Sequence, residues 1–441
     1  MKLQLPFLRS SCFLAGAAVV LCATSLNAQP LKAGEGAERL VLEKDWGKKE
    51  LSDELKQFQA LRKGEQSYTD ANKALLDRGA QWYAYRLTHS EFHEPKPGGK
   101  SVHDLCKDAL DQIVDPHPGG RPAGPALLAF KEEFEKRFVP RLQEVSKNPR
   151  VVARLNAAII LAKLAERGCE EAADVLVEIV KDPAENEGVK LWAFRGLRQL
   201  LAQGYGENGT PMKNKERESR CIVALLDYVT AKPKLSEDTP SDELAAIVYV
   251  RREAIAALGQ SRFPAVAVQV DKKTTKIGQE TALVLLKVMR ADGLPTVPTL
   301  AEQVTAAIGV CHLQAKLLEQ YNPDYAAYHL GRFIAYFASQ YREADNTDAN
   351  KKKLPWKAMA ARLGQALTEL KNDGTNKESS AYIEKMCAKA ELVLQDIAAG
   401  PPKVVNEGDL VVWLDQNLPK HATLYQGVAS AVVGAPEKTA Q

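Results

Sequence analysis

The stretch "VYVRREAIAALGQ" at 248–260 pairs a basic residue with small and apolar ones at helical spacing, and it has relatives in the same chain. Counted from Val250, the pattern is apolar, then basic, a small residue at +4 and leucine at +8: Val250, Arg251, Ala254, Leu258. Val189, Lys190, Ala193 and Leu197 fit it and continue to Leu200; Ala153, Arg154, Ala157, Leu161 and Leu164 fit it again. A degenerate fourth copy starts at Ile277, with Thr281, Leu285 and Val288, but Gly278 stands where the basic residue belongs. Steps of three and four residues place these positions on one helix face. A helical hairpin of this kind buries only that face and needs a neighbour stacked on it. The repetition therefore predicts an all-α chain built as an irregular solenoid of helical hairpins, with further helices flanking it.

"VRREAIAALG", "VKLWAFRGL" and "ARLNAAIILAKL" resemble the first helices of HEAT repeats, including the bilin-lyase type whose units read V-R-x-x-A-x-x-A-L-G. The resemblance covers roughly 148–290. It implies a curved stack of helix pairs that serves as a protein-binding scaffold, and by itself it implies no enzymatic activity. It also implies that the basic residue at +1 often packs between repeats. The departures are the uneven spacing and the missing basic residue in the last copy.

Outside the repeats the chain reads as helical at 49–60, 69–88, 102–113, 125–146, 300–321, 324–341, 354–370 and 379–398. "PAVAVQV" at 264–270 is the one run for which a short strand stays open. The end from His421 onward is rich in small residues and is expected to fray. Lys2 and Arg9 precede an apolar run at Cys12–Thr24, and Ala28 follows, the layout of a secretory signal peptide cut before Gln29. The expected organisation is a signal peptide (1–28), an N-terminal helical region (29–147), repeats (148–292), a C-terminal helical region (293–400) and a short last segment (401–441). The mature chain is expected in the periplasm or outside a bacterial cell, with no membrane span left after cleavage.

Charge is balanced, 59 basic against 56 acidic residues, so no large net field recruits nucleic acid. Five cysteines remain after the leader (Cys106, Cys169, Cys221, Cys311, Cys387); widely spaced and odd in number, they are expected as buried small hydrophobes, with one disulfide as the alternative. "GYGENG" at 204–209 follows a helix rather than a strand, so it reads as a helix end and loop, not a nucleotide fingerprint.

Three groups of residues are candidates for function. Arg154, Lys190, Arg195, Arg251 and Arg252, on the first helices of the repeats, are candidates for contacting a protein partner or an extended extracellular polymer. Tyr325, Tyr328, Arg332 and Tyr336 fall in the most aromatic stretch, which could line a groove or form a core helix. His89, His93 and His103 form the alternative, a metal site: if the helix from Thr69 ran on to Glu94, His89 and His93 would stand one turn apart on one face. Glu91 falls off that face, so the usual metalloprotease base is missing. The leading expectation is an exported, non-catalytic scaffold that binds a protein partner or an extended polymer on its concave face, without a cofactor.

Overall fold

The computed structural model describes residues 39–46, 51–114, 124–203, 212–233, 239–262, 267–270, 273–318, 320–346, 354–372, 380–400 and 405–425. The leader at 1–28, with Cys12 and Cys22, the "GYGENG" loop and the residues after Tyr425 lie outside the described residues. The helices are α1 (Ser52–Arg62), α2 (Lys73–Tyr85), α3 (Ser90–His93), α4 (Val102–Ala109), α5 (Pro125–Ser146) and α6 (Val151–Glu166). They continue as α7 (Ala172–Lys181), α8 (Glu187–Ala202), α9 (Lys215–Thr230), α10 (Ser241–Leu258), α11 (Ile277–Arg290) and α12 (Leu300–Cys311). The last are α13 (Pro323–Asn346), α14 (Trp356–Asn372), α15 (Ser380–Ala399) and α16 (Gly408–Gln416).

The ambiguous run resolves as β-structure. β1 (Ala267–Val270) pairs antiparallel with β2 (Lys273–Lys276), Ala267 opposite Lys276, as a two-stranded hairpin between α10 and α11. Among the described residues it is the only sheet, so the fold is helical in all but this ribbon.

The helices stack in two ranks. In one, α6 packs on α8, α8 on α10, α10 on α12, and α12 on α14; in the other, α7 packs on α9, α9 on α11, and α11 on α13. α5 joins α2 to α6 at one end, and α15 lies against both α13 and α14 at the other. One continuous core runs from Trp46 to Tyr425. The three clear template copies seed α6, α8 and α10 of the first rank. The fourth copy is corrected here: the helix from Ile277 lies in the second rank, and α12 takes the next place beside α10.

Local chemistry sets the breaks. Asn186 Oδ1 accepts the Gly188 N–H at 2.9 Å to cap α8, and Asn214 Oδ1 accepts that of Arg217 at 3.0 Å to cap α9. Thr299 and Glu302 cap α12 reciprocally. Gly168, at φ +92°, makes the left-handed turn between α6 and α7. Gly259 ends α10 at φ −64°, a conformation open to any residue, and its reason is proximity: a Cβ there would lie 2.9 Å from the Gly309 Cα on α12.

The helix expected at 300–321 stops at Cys311, followed by a short turn at Ala315–Leu317. The expected fraying at His421 is corrected through Tyr425. The Asn322 side-chain amide donates to the carbonyls of His421 and Thr423 (3.0 and 3.1 Å), and the Tyr425 hydroxyl donates to the Gln279 carbonyl at 3.2 Å. All five cysteines within the described residues are free and buried. No described helix is long and apolar enough to cross a membrane.

Candidate binding surface

The basic residues at +1 of the template point into the stack. Arg154 on α6 donates to Glu185, just ahead of α8, at 2.9 Å, and to the carbonyls of Asn148 and Pro149. Arg251 on α10 lies 3.6 Å from Glu302 on α12 and donates to the Thr296 carbonyl at 3.3 Å. Lys190 on α8 pairs with Glu187 at 3.2 Å, and Glu187 also accepts the Tyr228 hydroxyl from α9. Each cation thus ties its own helix to a neighbour or to the polar seam beside it. Lys190 and Arg251 are buried, and the Arg154 side chain is only 17% exposed, so none of the three forms an open surface.

Arg195 and Arg252 behave differently. Arg195 stacks on the Trp192 ring at 4.9 Å and donates to the Tyr249 hydroxyl at 3.1 Å, linking α8 to α10. Arg252 stacks on the Tyr249 ring at 4.7 Å. Ring stacking fixes a guanidinium without consuming its five donors. Arg198, one turn after Arg195, reaches Glu253 on α10 at 3.2 Å. Arg362 on α14 is within electrostatic range of Arg198, Arg252 and Glu253. Desolvation first, then the Arg198 and Arg252 guanidiniums, push its pKa below the ordinary arginine value, while Glu253 opposes them. Among the described residues no carboxylate pairs with Arg195, Arg252 or Arg362. Among the described residues, Arg198 alone of these four arginines has an ion-paired carboxylate, and two aromatic rings lie beside the row. Arg198, Arg362, Trp192 and Tyr249 were not among the residues picked from sequence. The helical spacing of Arg195 and Arg198 signals one face; nothing local in the sequence brings Arg362 to it.

The aromatic stretch forms the core helix α13. Tyr325 and Tyr328 are 4% and 8% exposed, so a groove lined by them is corrected to interior packing. Arg332 donates to the Tyr328 hydroxyl at 3.1 Å and pairs with Asp415 on α16. Only Tyr336 of that set is exposed. Between Tyr325 and Tyr328 sits buried His329. Burial, with Arg290 and Arg332 nearby, pushes its imidazole down to about 3.

The histidine cluster does not stand on one helix. Thr88 donates its hydroxyl to the Tyr85 carbonyl at 2.7 Å and accepts the Leu40 N–H, and the chain leaves helical geometry at His89 (φ −81°, ψ 128°). His89 is buried with Nε2 3.0 Å from the Leu40 carbonyl, and His93 holds Nε2 2.7 Å from the Leu87 carbonyl. In both rings Nε2 is thus the N–H donor, and its lone pair is lost to a metal. His103 is exposed on α4. Among the described residues no three His, Cys, Asp or Glu side chains are grouped to hold a metal ion.

Comparisons with protein-family models, curated proteins and solved structures find no match to this chain.

Proposed function

We propose that this chain is an exported, non-catalytic scaffold of HEAT-like repeats that holds a protein partner or an extended polymer on the face of its first helices. The observation that carries the reading is the arginine row across α8, α10 and α14. Arg195, Arg252 and Arg362 have no acidic partner within the described residues, and two of them are held by aromatic stacking. Like charges gathered at the surface cost stability unless something neutralises them, and a partner is the natural source. The three cations at +1, being tied into the stack, act as structure rather than as contacts. Export rests on the basic start and apolar run of the first 28 residues.

Two experiments test the reading. A photoreactive residue placed at Tyr249, exposed beside the arginines, is expected to cross-link a macromolecule in cells. One placed at Leu392, exposed on α15, is expected to yield no such adduct. Equal labelling from both positions, or none from Tyr249, would overturn the binding face. Fractionation followed by N-terminal sequencing tests export: a chain starting at Met1 in the cytoplasm would remove that part of the proposal.

A further inference from the structure

The surface stripe that carries Arg195 and Arg252 changes character along the first rank. Template positions −1, +2 and +6 share a helix face by their three- and four-residue steps. On α6 they are Val152, Leu155 and Ile159; on α8 the last two are Leu191 and Arg195; on α10 the first two are Tyr249 and Arg252. Val152 is 46% exposed, while Leu155 and Ile159 are half-buried. With α6 on α8 and α8 on α10, one continuous face is apolar at these positions on α6 and gains one arginine on each of α8 and α10.

We infer that this face takes an acidic polypeptide segment whose carboxylates meet Arg195, Arg198, Arg252 and Arg362 and whose apolar side chain packs on Val152 and Leu155. The inference rests on the binding role proposed above and narrows it to one class of partner. Charge complementarity supplies the first argument. Guanidiniums held against rings present their forks to carboxylates in paired hydrogen bonds, and among the described residues only Arg198 of the four has an ion pair. Spacing supplies the second. Neighbouring packed helices stand about 8–10 Å apart, and an extended peptide advances about 3.3 Å per residue, so a carboxylate at every third residue steps from α8 to α10, and a carboxylate two such steps further on, past α12, comes to α14. The apolar end supplies the third and argues against other polyanions. A sulfated polysaccharide would meet the arginines but leave Val152 and Leu155 uncovered. Nucleic-acid bases would need open ring faces, and one face of Trp192 and of Tyr249 already carries a guanidinium.

The test uses the purified full chain and a labelled peptide of about twelve residues with glutamate at every third position and leucines at one end. Fluorescence polarisation is read against three comparison probes: the peptide with glutamines for glutamates, heparin, and single-stranded DNA. The acidic peptide is expected to bind, and binding should weaken as salt rises from about 0.05 to about 0.3 M. Arg252→Ala/Arg362→Ala should weaken it at least about tenfold. Val152→Ser should weaken binding of this peptide but not of one with serines for leucines. Lys385→Ala, exposed on α15, should change nothing. Circular dichroism confirms that each variant is folded. If heparin or DNA binds in an Arg252- and Arg362-dependent way while the glutamate and glutamine peptides behave alike, the polypeptide inference fails and the binding face stands. If no probe separates the variants from the parent chain, the inference fails, and cross-linking at position 249 decides the binding face by itself.

Discussion

Arg154 and Glu185 meet at 2.9 Å between α6 and the entry to α8, with side chains 17% and 5% exposed. The guanidinium also holds two backbone carbonyls, and Glu185 accepts the Asn186 N–H. A charge pair this well enclosed is costly to break from one side, because the partner stays buried and uncompensated.

Arg154→Ala and Glu185→Gln are therefore each expected to lower unfolding free energy by about 2–4 kcal/mol in urea titrations. Arg195→Ala, half-buried with one ring stack and one hydrogen bond to Tyr249, should cost only about 1 kcal/mol. The contrast separates cations that hold the stack from those free to meet a partner. If Arg154→Ala were as mild as Arg195→Ala, the assignment of Arg154 to inter-repeat packing would fail.

Gly309 and Gly364 make a second contrast between two helical glycines. A Cβ at Gly309 would lie 3.0 Å from the Gly259 Cα and 3.1 Å from Leu285, whereas one at Gly364 would meet nothing within 4 Å. Gly309→Ala should cost about 1–3 kcal/mol by forcing α10 and α12 apart. Gly364→Ala should add about 0.5–1 kcal/mol through helix propensity alone. Opposite signs in thermal melts would show that Gly309 serves the close contact with Gly259.

Helix identity was legible wherever apolar spacing ran unbroken. The expected bounds at 125–146 agree with α5 at both ends, because Pro125 starts the helix and its phenylalanines keep one face. His89 was not legible as a break, since Thr88 turns the chain through contacts with Tyr85 and with distant Leu40. The rank of α11 also escaped, because the template marks an apolar face and a helix of either rank needs one. Within the candidate surface, Arg195 and Arg252 follow from the repeat, and their stacking partners Trp192 and Tyr249 stand three residues earlier, one helical turn away. Arg362 does not, since only the stacking of α10, α12 and α14 brings it near.

The buried thiols should be inert in the native state. Burial pushes Cys106 up to about 12, and likewise Cys221 and Cys387, leaving almost no thiolate at neutral pH. A chain starting at Gln29 should show no rapid reaction with a thiol reagent until denaturant is added, and then all five cysteines should react. Prompt native labelling would mean that a helix pair opens readily.

Two groups, half-buried Glu135 and buried His329, should give stability opposite slopes with pH. Desolvation raises Glu135 on α5 to about 7, with Glu171 adding to the rise. Its folded pKa lies above its unfolded one, so the native state binds more protons between about 4.5 and 7, and stability falls as pH rises through that window. At pH 8 the full penalty, at most about 3 kcal/mol, is in force. Glu135→Gln should therefore stabilise the protein at pH 8 and have far less effect at pH 4.5. His329 has the opposite sign: its folded pKa of about 3 lies below the ordinary 6.5, so the unfolded chain binds the extra proton and stability is lost as pH falls below 6.5. His329→Phe should lose less stability than the parent between pH 6.5 and 4, whatever its packing cost at neutral pH. Urea midpoints across pH 4 to 8 for the parent and both variants measure the two slopes separately. A Glu135→Gln effect that is the same at every pH would place that carboxylate in water rather than beside Cys169 and Glu171, ahead of α7.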